Sequence, residues 1–362
     1  MNRVHWNRQL ISGLSMMQGE RKRTALKVLS DNTGAIRGTM RGHYTSQYKM
    51  RILLALDGSD QSFEAAQYVS QLFLPQRLNL VLFHVMSKIP ESFWDIEKNP
   101  AFRHQLAPVA AWATQQQTAI QEFMEKARQM FRDRGVPEDS VDIKIQEKKV
   151  GPARDILREA QRNYDAVVVG SWGVSRLKDL VWGSIANKLV GHLIHRTLCV
   201  VGGEPQTGKI LVALDTSEEA MRTVDFVGAM VDGTEKQITL FHVIRGLNLA
   251  SQRYDVPLVL HEEWEAEVRK QLREAETSTE ALFQKAAGRL EQAGVEDDRI
   301  STKVVTEVPS RANAIVDEAK KGGFGTVIVG RRGLSRIEEF FLGRVSNKVL
   351  QLAKEMAVWV VT

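Results

Sequence analysis

The chain has 362 residues, 43 % hydrophobic and 26 % charged, which is the balance of a globular protein and too long for one ordinary domain. No apolar run approaches the roughly 20 residues that a membrane-spanning helix needs, and the single cysteine, Cys199, excludes an intrachain disulfide framework and favours a reducing, cytoplasmic setting. The net charge of +5 is lodged at one end: residues 1–49 hold nine Lys or Arg against Glu20 and Asp31, a balance of +7, so the remainder sums to −2 and is not a nucleic-acid-like surface.

In chain order, residues 1–49 show no sustained apolar period and read as a basic leader, disordered or loosely attached. The stretch from Leu10 to Met17 is short and broken by Ser and Gly, unlike a secretory signal, and Met50 stands as an alternative start. Strand-length runs follow at Arg51–Leu56, Leu78–Val85, Val141–Ile145, Ala166–Val169 and Leu198–Val201. Helical patterns lie between them at Ser62–Phe73, Pro108–Arg134, Pro152–Asn163 and Ser184–His195, with Pro152 and Pro309 suited to a first helical turn. The connection from Met86 to Gln105, with Phe93, Trp94 and Phe102, has the length of a lid, a partner contact or plain cover.

The pattern then repeats. "RILLALDGS" from Arg51 matches "KILVALDTS" from Lys209, "LVLFHV" matches "ITLFHV", and "GSWGVSRLKDLVWGSIANK" from Gly170 matches "GRRGLSRIEEFFLGRVSNK" from Gly330. Asp57 and Asp215 are 158 apart and the two glycine motifs 160 apart, so one unit is duplicated with a slip of two residues. Continuous apolar strands alternating with helices imply a parallel sheet buried on both faces. The expectation is an α/β protein of two tandem, doubly wound, five-stranded domains: leader 1–49, first domain 50–203, a short Gly/Pro linker, second domain 208–362. The terminal strands Leu198–Val201 and Ala357–Val361 are expected to pair at sheet edges, joining the two domains or two chains about a pseudo-twofold axis.

The chemistry concentrates in the repeated glycines. Gly170 ends the fourth strand, Gly173 falls in the turn beyond it, and Ser184 reads as the N-cap of the next helix. Glycines there let a ligand approach the backbone, and a helix N-terminus offers unpaired N–H groups and partial positive charge, which suits phosphate. Asp57 ends the first strand. If strands one and four flank the point where strand order reverses, Asp57 and the glycine loop line one crevice and together suit a nucleotide. The alternative is that the glycines only make turns and Asp57 only caps the following helix; repetition of the whole set weighs against it.

With "LLALDGS", "LFHV" and Gly-x2-Gly-x9-Gly-Ser, the chain over roughly residues 50–362 resembles the universal stress protein family in its tandem two-domain form. The resemblance implies sheet order 3-2-1-4-5, pairing through the last strand and, in one subclass, ATP binding, with magnesium as a conceivable companion. It implies that Asp57 contacts ribose, that the Val85 backbone meets adenine, and that Gly170, Gly173, Gly183, Ser184 and Ile185 surround the phosphates. In the second copy the set is Asp215, Val243, Gly330, Gly333, Gly343 and Val345. That copy departs from the pattern at Arg344, where the family motif has Ser or Thr. Arg331 and Arg332, in place of Ser171 and Trp172, are expected to make its crevice more cationic, and the first copy is expected to be the better site.

Matching His84 and His242 read as hydrogen-bonded structural histidines rather than metal ligands, and Cys199 as a buried small hydrophobe. The reading is an adenine-nucleotide-binding regulator or sensor in the stress response. The alternatives are a slow ATPase or phosphoryl-transfer enzyme, and an interaction module regulating a partner such as a membrane transporter. No catalytic residue or metal site is assigned, nucleic acid is not an expected partner, and a homo-oligomer or intramolecular pairing through the last strands is.

Overall fold

The apolar runs of each copy form five strands that lie side by side, the central ones buried on both faces and the edge strands Val141–Glu147 and Ile300–Val305 largely open to solvent. The structure is a computed structural model describing residues 48–87, 103–171, 183–244, 258–306, 308–331 and 342–362, with backbone alone at 103–110, 258–266, 268 and 272. The strands of the first copy are β1 (Met50–Ala55), β2 (Leu78–Met86), β3 (Val141–Glu147), β4 (Ala166–Gly170) and β5 (Thr197–Val201). Those of the second are β6 (Lys209–Ala213), β7 (Gln237–Val243), β8 (Ile300–Val305), β9 (Thr326–Gly330) and β10 (Ala357–Val361). The helices are α1 (Asp60–Leu72), α2 (Arg103–Asp133), α3 (Pro152–Glu159), α4 (Ser184–His192), α5 (Glu218–Val231), α6 (Leu258–Gln292), α7 (Arg311–Gly322) and α8 (Arg344–Leu352). The expectations for the leader and for the Phe93, Trp94 and Phe102 connection fall outside the described residues.

The two expected five-stranded sheets fuse into one of ten strands, in the order β3-β2-β1-β4-β5-β10-β9-β6-β7-β8. Each half is parallel in the order 3-2-1-4-5, and the halves join where β5 and β10 pair antiparallel within the chain, Cys199 opposite Trp359. The last strands thus serve as the seam between the two copies.

Alternate residues of each strand feed different cores. Ile52 and Leu54 of β1 pack with Met124, Ala127 and Phe131 of α2, while Leu53 packs on the other face with Ile156 of α3 and Leu189 of α4. Each such fully buried Leu or Ile contributes about 1.5–3 kcal/mol relative to an exposed one. Local signals agree with this placement. Ser59 caps α1 by accepting from Ser62 N at 3.2 Å, Pro152 opens α3, and the left-handed Gly323 (φ +68°) closes α7. The edge strands are tied to their crossover helices by the same ion pair in both copies, Lys144–Glu159 at 2.7 Å and Lys303–Glu318 at 2.8 Å.

Between the copies, Arg77 pairs with Asp232, and Lys236 donates to the Gln71 carbonyl (2.9 Å) at the end of α1 and to Thr207 Oγ1 (3.0 Å) in the linker. Burial of Lys236 lowers its pKa from the ordinary lysine value.

Candidate functional site

Strand order reverses between β1 and β4, which are adjacent in the sheet while β2 and β3 lie to the other side of β1. Ala55 pairs with Val169, so Asp57 and Ser171 stand level with each other just past the paired residues, on strands about 4.8 Å apart. Asp57 and Gly170 therefore flank the switch point at the carboxyl edge of the sheet. The equivalent pairing of Ala213 with Val329 brings Asp215 and Gly330 to the corresponding edge of the second copy.

Asp57 is half-buried and held. Its Oδ1 accepts from Ser59 N (3.0 Å) and from Ser59 Oγ (2.5 Å), and the same hydroxyl accepts from Ser62 N. The carboxylate is thereby fixed against the N-terminus of α1, where the helix dipole favours its charge. The cap itself is Ser59 rather than Asp57. Between them Gly58 carries φ +89°, and Ile120 of α2 lies over it; a Cβ added there would stand 2.9 Å from Ile120 Cδ1. Ile120 thus roofs the aspartate turn, a role with no local signal in the sequence beyond its place on an apolar stripe.

The start of helix α4 is tied to the ends of β4 and β5 through Ser171. Ser171 N donates to the Val201 carbonyl (2.7 Å), and Gly183 N donates back to the Ser171 carbonyl (2.8 Å), so the chain leaves and re-enters at one point. Helical bonding starts with Asn187 N to the Gly183 carbonyl at 3.1 Å, which leaves the N–H groups of Ser184, Ile185 and Ala186 without intrahelical partners. The expected cap at Ser184 is corrected by one residue. Gly183, extended at φ −59° and ψ 146°, is the N-cap, and Ser184 is the first helical residue, exposed and making no side-chain cap bond. Gly343 and Arg344 repeat this arrangement on α8, so Arg344 displaces a first-turn serine and not a capping one. Gly173, Gly333 and Arg332 lie outside the described residues.

The expected cationic role of Arg331 is also corrected. Its side chain is buried, 3 % exposed, and turns away from the second crevice to the far end of α4, donating to the carbonyls of Leu193 (2.9 Å) and Val190 (3.3 Å). A guanidinium satisfies the orphan carbonyls at that helix end and complements its dipole. Ser346 was not foreseen: its Oγ donates to the Gly330 carbonyl at 2.7 Å, tying α8 to β9, where the first copy has Ala186.

At the ends of β2 and β7, His84 and His242 each donate Nδ1–H to a strand-end carbonyl, Leu56 and Leu214, both at 2.8 Å. Burial lowers both pKa values, so both rings are neutral near pH 7 with Nε2 as acceptor. They brace the strands one residue before each aspartate. Val85 and Met86 beyond His84 are half-buried, whereas Val243 and Ile244 are buried, so the second copy covers this strand end more fully. Cys199 is buried as expected, and desolvation raises its thiol pKa.

The same edge carries the turn after β3, which Asp155 organises. This carboxylate is buried, and desolvation alone would raise its pKa. The N–H groups of Lys149 (2.9 Å), Val150 (3.3 Å) and Gly151 (3.2 Å) outweigh that and hold it below its ordinary value near 3.8. A depressed folded pKa stabilises above the ordinary value and loses that stabilisation as pH falls through the folded one. Asp155→Asn should therefore cost about 2 kcal/mol at pH 7 and progressively less below pH 4, measured by urea unfolding across pH 3–7.

The model of the universal stress protein family matches residues 49–200 and again 207–362. Universal stress protein YxiE of Bacillus subtilis is 25 % identical over 145 residues, covering 40 % of this chain and 93 % of that one. The crystal structure of a universal stress protein from Archaeoglobus fulgidus aligns with 86 % of this chain and 98 % of its own at 17 % identity and a TM-score of 0.49. Another, described as a universal stress protein in complex with cAMP, aligns with 42 % of this chain and 95 % of its own at 22 % identity and a TM-score of 0.28. Among the described residues no helix is long and apolar enough to cross a membrane. With its family model matched over both halves, the chain belongs to the universal stress protein family and carries the domain twice in tandem.

Proposed function

We propose that this chain is an ATP-binding regulator whose first crevice holds the nucleotide. What supports the reading most is the juxtaposition at the β1/β4 switch point: a fixed carboxylate, Asp57, level with the loop that leads into the exposed N-terminus of α4. Asp57 accepts from ribose hydroxyls. The first-turn amides of Ser184 and Ile185, with Gly170, Gly173 and Gly183 close to the backbone, face the phosphates. The half-buried Val85 backbone meets the adenine edge. In the second copy Asp215, Val243, Gly330, Gly333, Gly343 and Val345 make the corresponding set, weakened by Arg344 in place of the small serine and by the covered end of β7.

Regulation follows from differential affinity: occupancy shifts the chain between conformations only to the extent that ATP binds them unequally. The test is ATP titration of the purified full chain by calorimetry and native mass spectrometry. One ATP per chain is expected, abolished by Ser184→Arg and weakened at least about tenfold by Asp57→Ala, the loss of one charge-assisted contact. Two ATP per chain would overturn the ranking of the crevices, and none at millimolar ATP would overturn the proposal.

A further inference from the structure

The seam between the copies has a centre that maps onto itself. Positions related by the duplication differ by 160 in this part of the chain, and Cys199 pairs directly with its own counterpart, Trp359, across β5 and β10. Around that pair the two copies have diverged in a matched way. Tyr68 of α1 answers to Phe226 of α5, at the offset of 158 that Asp57 and Asp215 share, and Ala166 of β4 answers to Thr326 of β9 at 160. Tyr68 reaches across the seam, its hydroxyl accepting from Trp359 Nε1 at 2.9 Å and bonding Thr326 Oγ1 at 2.9 Å. Phe73 and Phe226 enclose the same indole, with ring centroids at 5.9 and 5.7 Å. Tyr68, Cys199, Thr326 and Trp359 are all at most 2 % exposed.

A pair of first copies would place Cys199 against itself, leaving the volume of an indole empty, and would bury the Tyr68 hydroxyl against Ala166 and Cys199 with no matching partner. A pair of second copies would set two Trp359 side chains directly opposite one another on neighbouring antiparallel strands. Voids, overpacking and an unmatched buried hydroxyl all disfavour these pairings, whereas the mixed pair satisfies every group. Specificity of this kind comes from penalties against the wrong partner as much as from contacts with the right one. We infer that the last-strand interface of each domain accepts the other domain of the tandem and rejects a second copy of itself. Tyr68, Thr326, Cys199 and Trp359 are the residues that discriminate. This inference does not depend on what the crevices bind.

The full chain supplies its own reporter, because Cys199 is its one cysteine. Native-state labelling with 5,5′-dithiobis(2-nitrobenzoate) reads how often the seam opens, and a thermal midpoint accompanies it. Tyr68→Phe, which removes the bonds to both Trp359 and Thr326, is expected to speed labelling about tenfold, and adding Thr326→Ala to add little, since its bond to Tyr68 is already gone. A variant whose second copy loses its distinguishing residues (Phe226→Tyr, Thr326→Ala and Trp359→Ala, so that Cys199 stays the one thiol) is expected to lose protection and lower the midpoint sharply. Failure of that variant to fold counts as the same result. The decisive variant mirrors the pattern, exchanging Tyr68 with Phe226, Ala166 with Thr326 and Cys199 with Trp359. It keeps the same residues at the seam and should recover thiol protection to within about tenfold of the parent. Labelling of the mirrored variant as fast as the triple one, or its failure to fold, would overturn the inference, as would full protection in the triple one.

Discussion

Gly202→Ala is expected to be among the most damaging single methyl additions in the chain, lowering stability by about 3 kcal/mol or more. Gly202 follows β5 and donates its N–H to the Met356 carbonyl at 3.1 Å, so the linker begins by lying on the turn that precedes β10. A Cβ there would fall 2.0 Å from the Lys354 carbonyl oxygen and 2.8 Å from its carbon. Those atoms are backbone, held by the antiparallel seam a few residues on, so no side-chain rotation relieves the overlap. The seam must shift or the linker must lift, and either exposes Val201 and Ala357. The other end of the linker repeats the arrangement. At Gly325 an added Cβ would stand 2.1 Å from the Gln206 carbonyl oxygen, and Gly325→Ala should cost a similar amount. Gly208, with nothing within 4 Å of an added Cβ, is the control, and Gly208→Ala should change stability by less than about 0.5 kcal/mol. Urea denaturation of the three variants separates the cases.

What could be read in advance divides along the same line between local and non-local causes. The strands announced themselves, since an apolar run of strand length needs only its own residues to be recognised. Duplication was plain from "LLALDGS" and "ILVALDTS", and the strand order came with the resemblance that those motifs carry. An error of one residue arose where two candidates compete for a cap. Gly183 and Ser184 are both suited to an N-cap, and only the extended backbone at Gly183 decides it. Asp57 and Ser59 likewise compete at α1, and the serine caps while the aspartate leans on its hydroxyl. Ile120 over Gly58, Ser346 on Gly330 and Tyr68 on Trp359 had no such signal, because each is a meeting between segments 16 to 291 residues apart. Position within a motif also misled once, at Arg331, where the neighbour that matters belongs to the other copy.

Arg331→Ser restores the residue that the first copy carries at this position, Ser171, yet it is expected to destabilise by about 3 kcal/mol. The guanidinium donates to two carbonyls at the end of α4, those of Val190 and Leu193, from a position 3 % exposed. A serine is too short to reach either one. Those acceptors would then be left in a buried setting without their charged donor, which costs more than the net worth of an ordinary hydrogen bond. Arg331→Lys should recover only part of the loss, since an ammonium is a point charge and does not span both carbonyls as the planar fork does. Loss of the clamp should loosen the last turn of α4 first, seen as faster amide exchange at Leu193, whose N–H bonds to the Leu189 carbonyl at 2.8 Å. The helix that loosens is the one whose opposite end begins at Gly183, which is tied through Ser171 to the strand next to that of Asp57. A residue just past the fourth strand of one copy thus fixes a helix of the other. Unchanged unfolding midpoints for Arg331→Ser, together with unchanged exchange at Leu193, would show that this clamp carries no load.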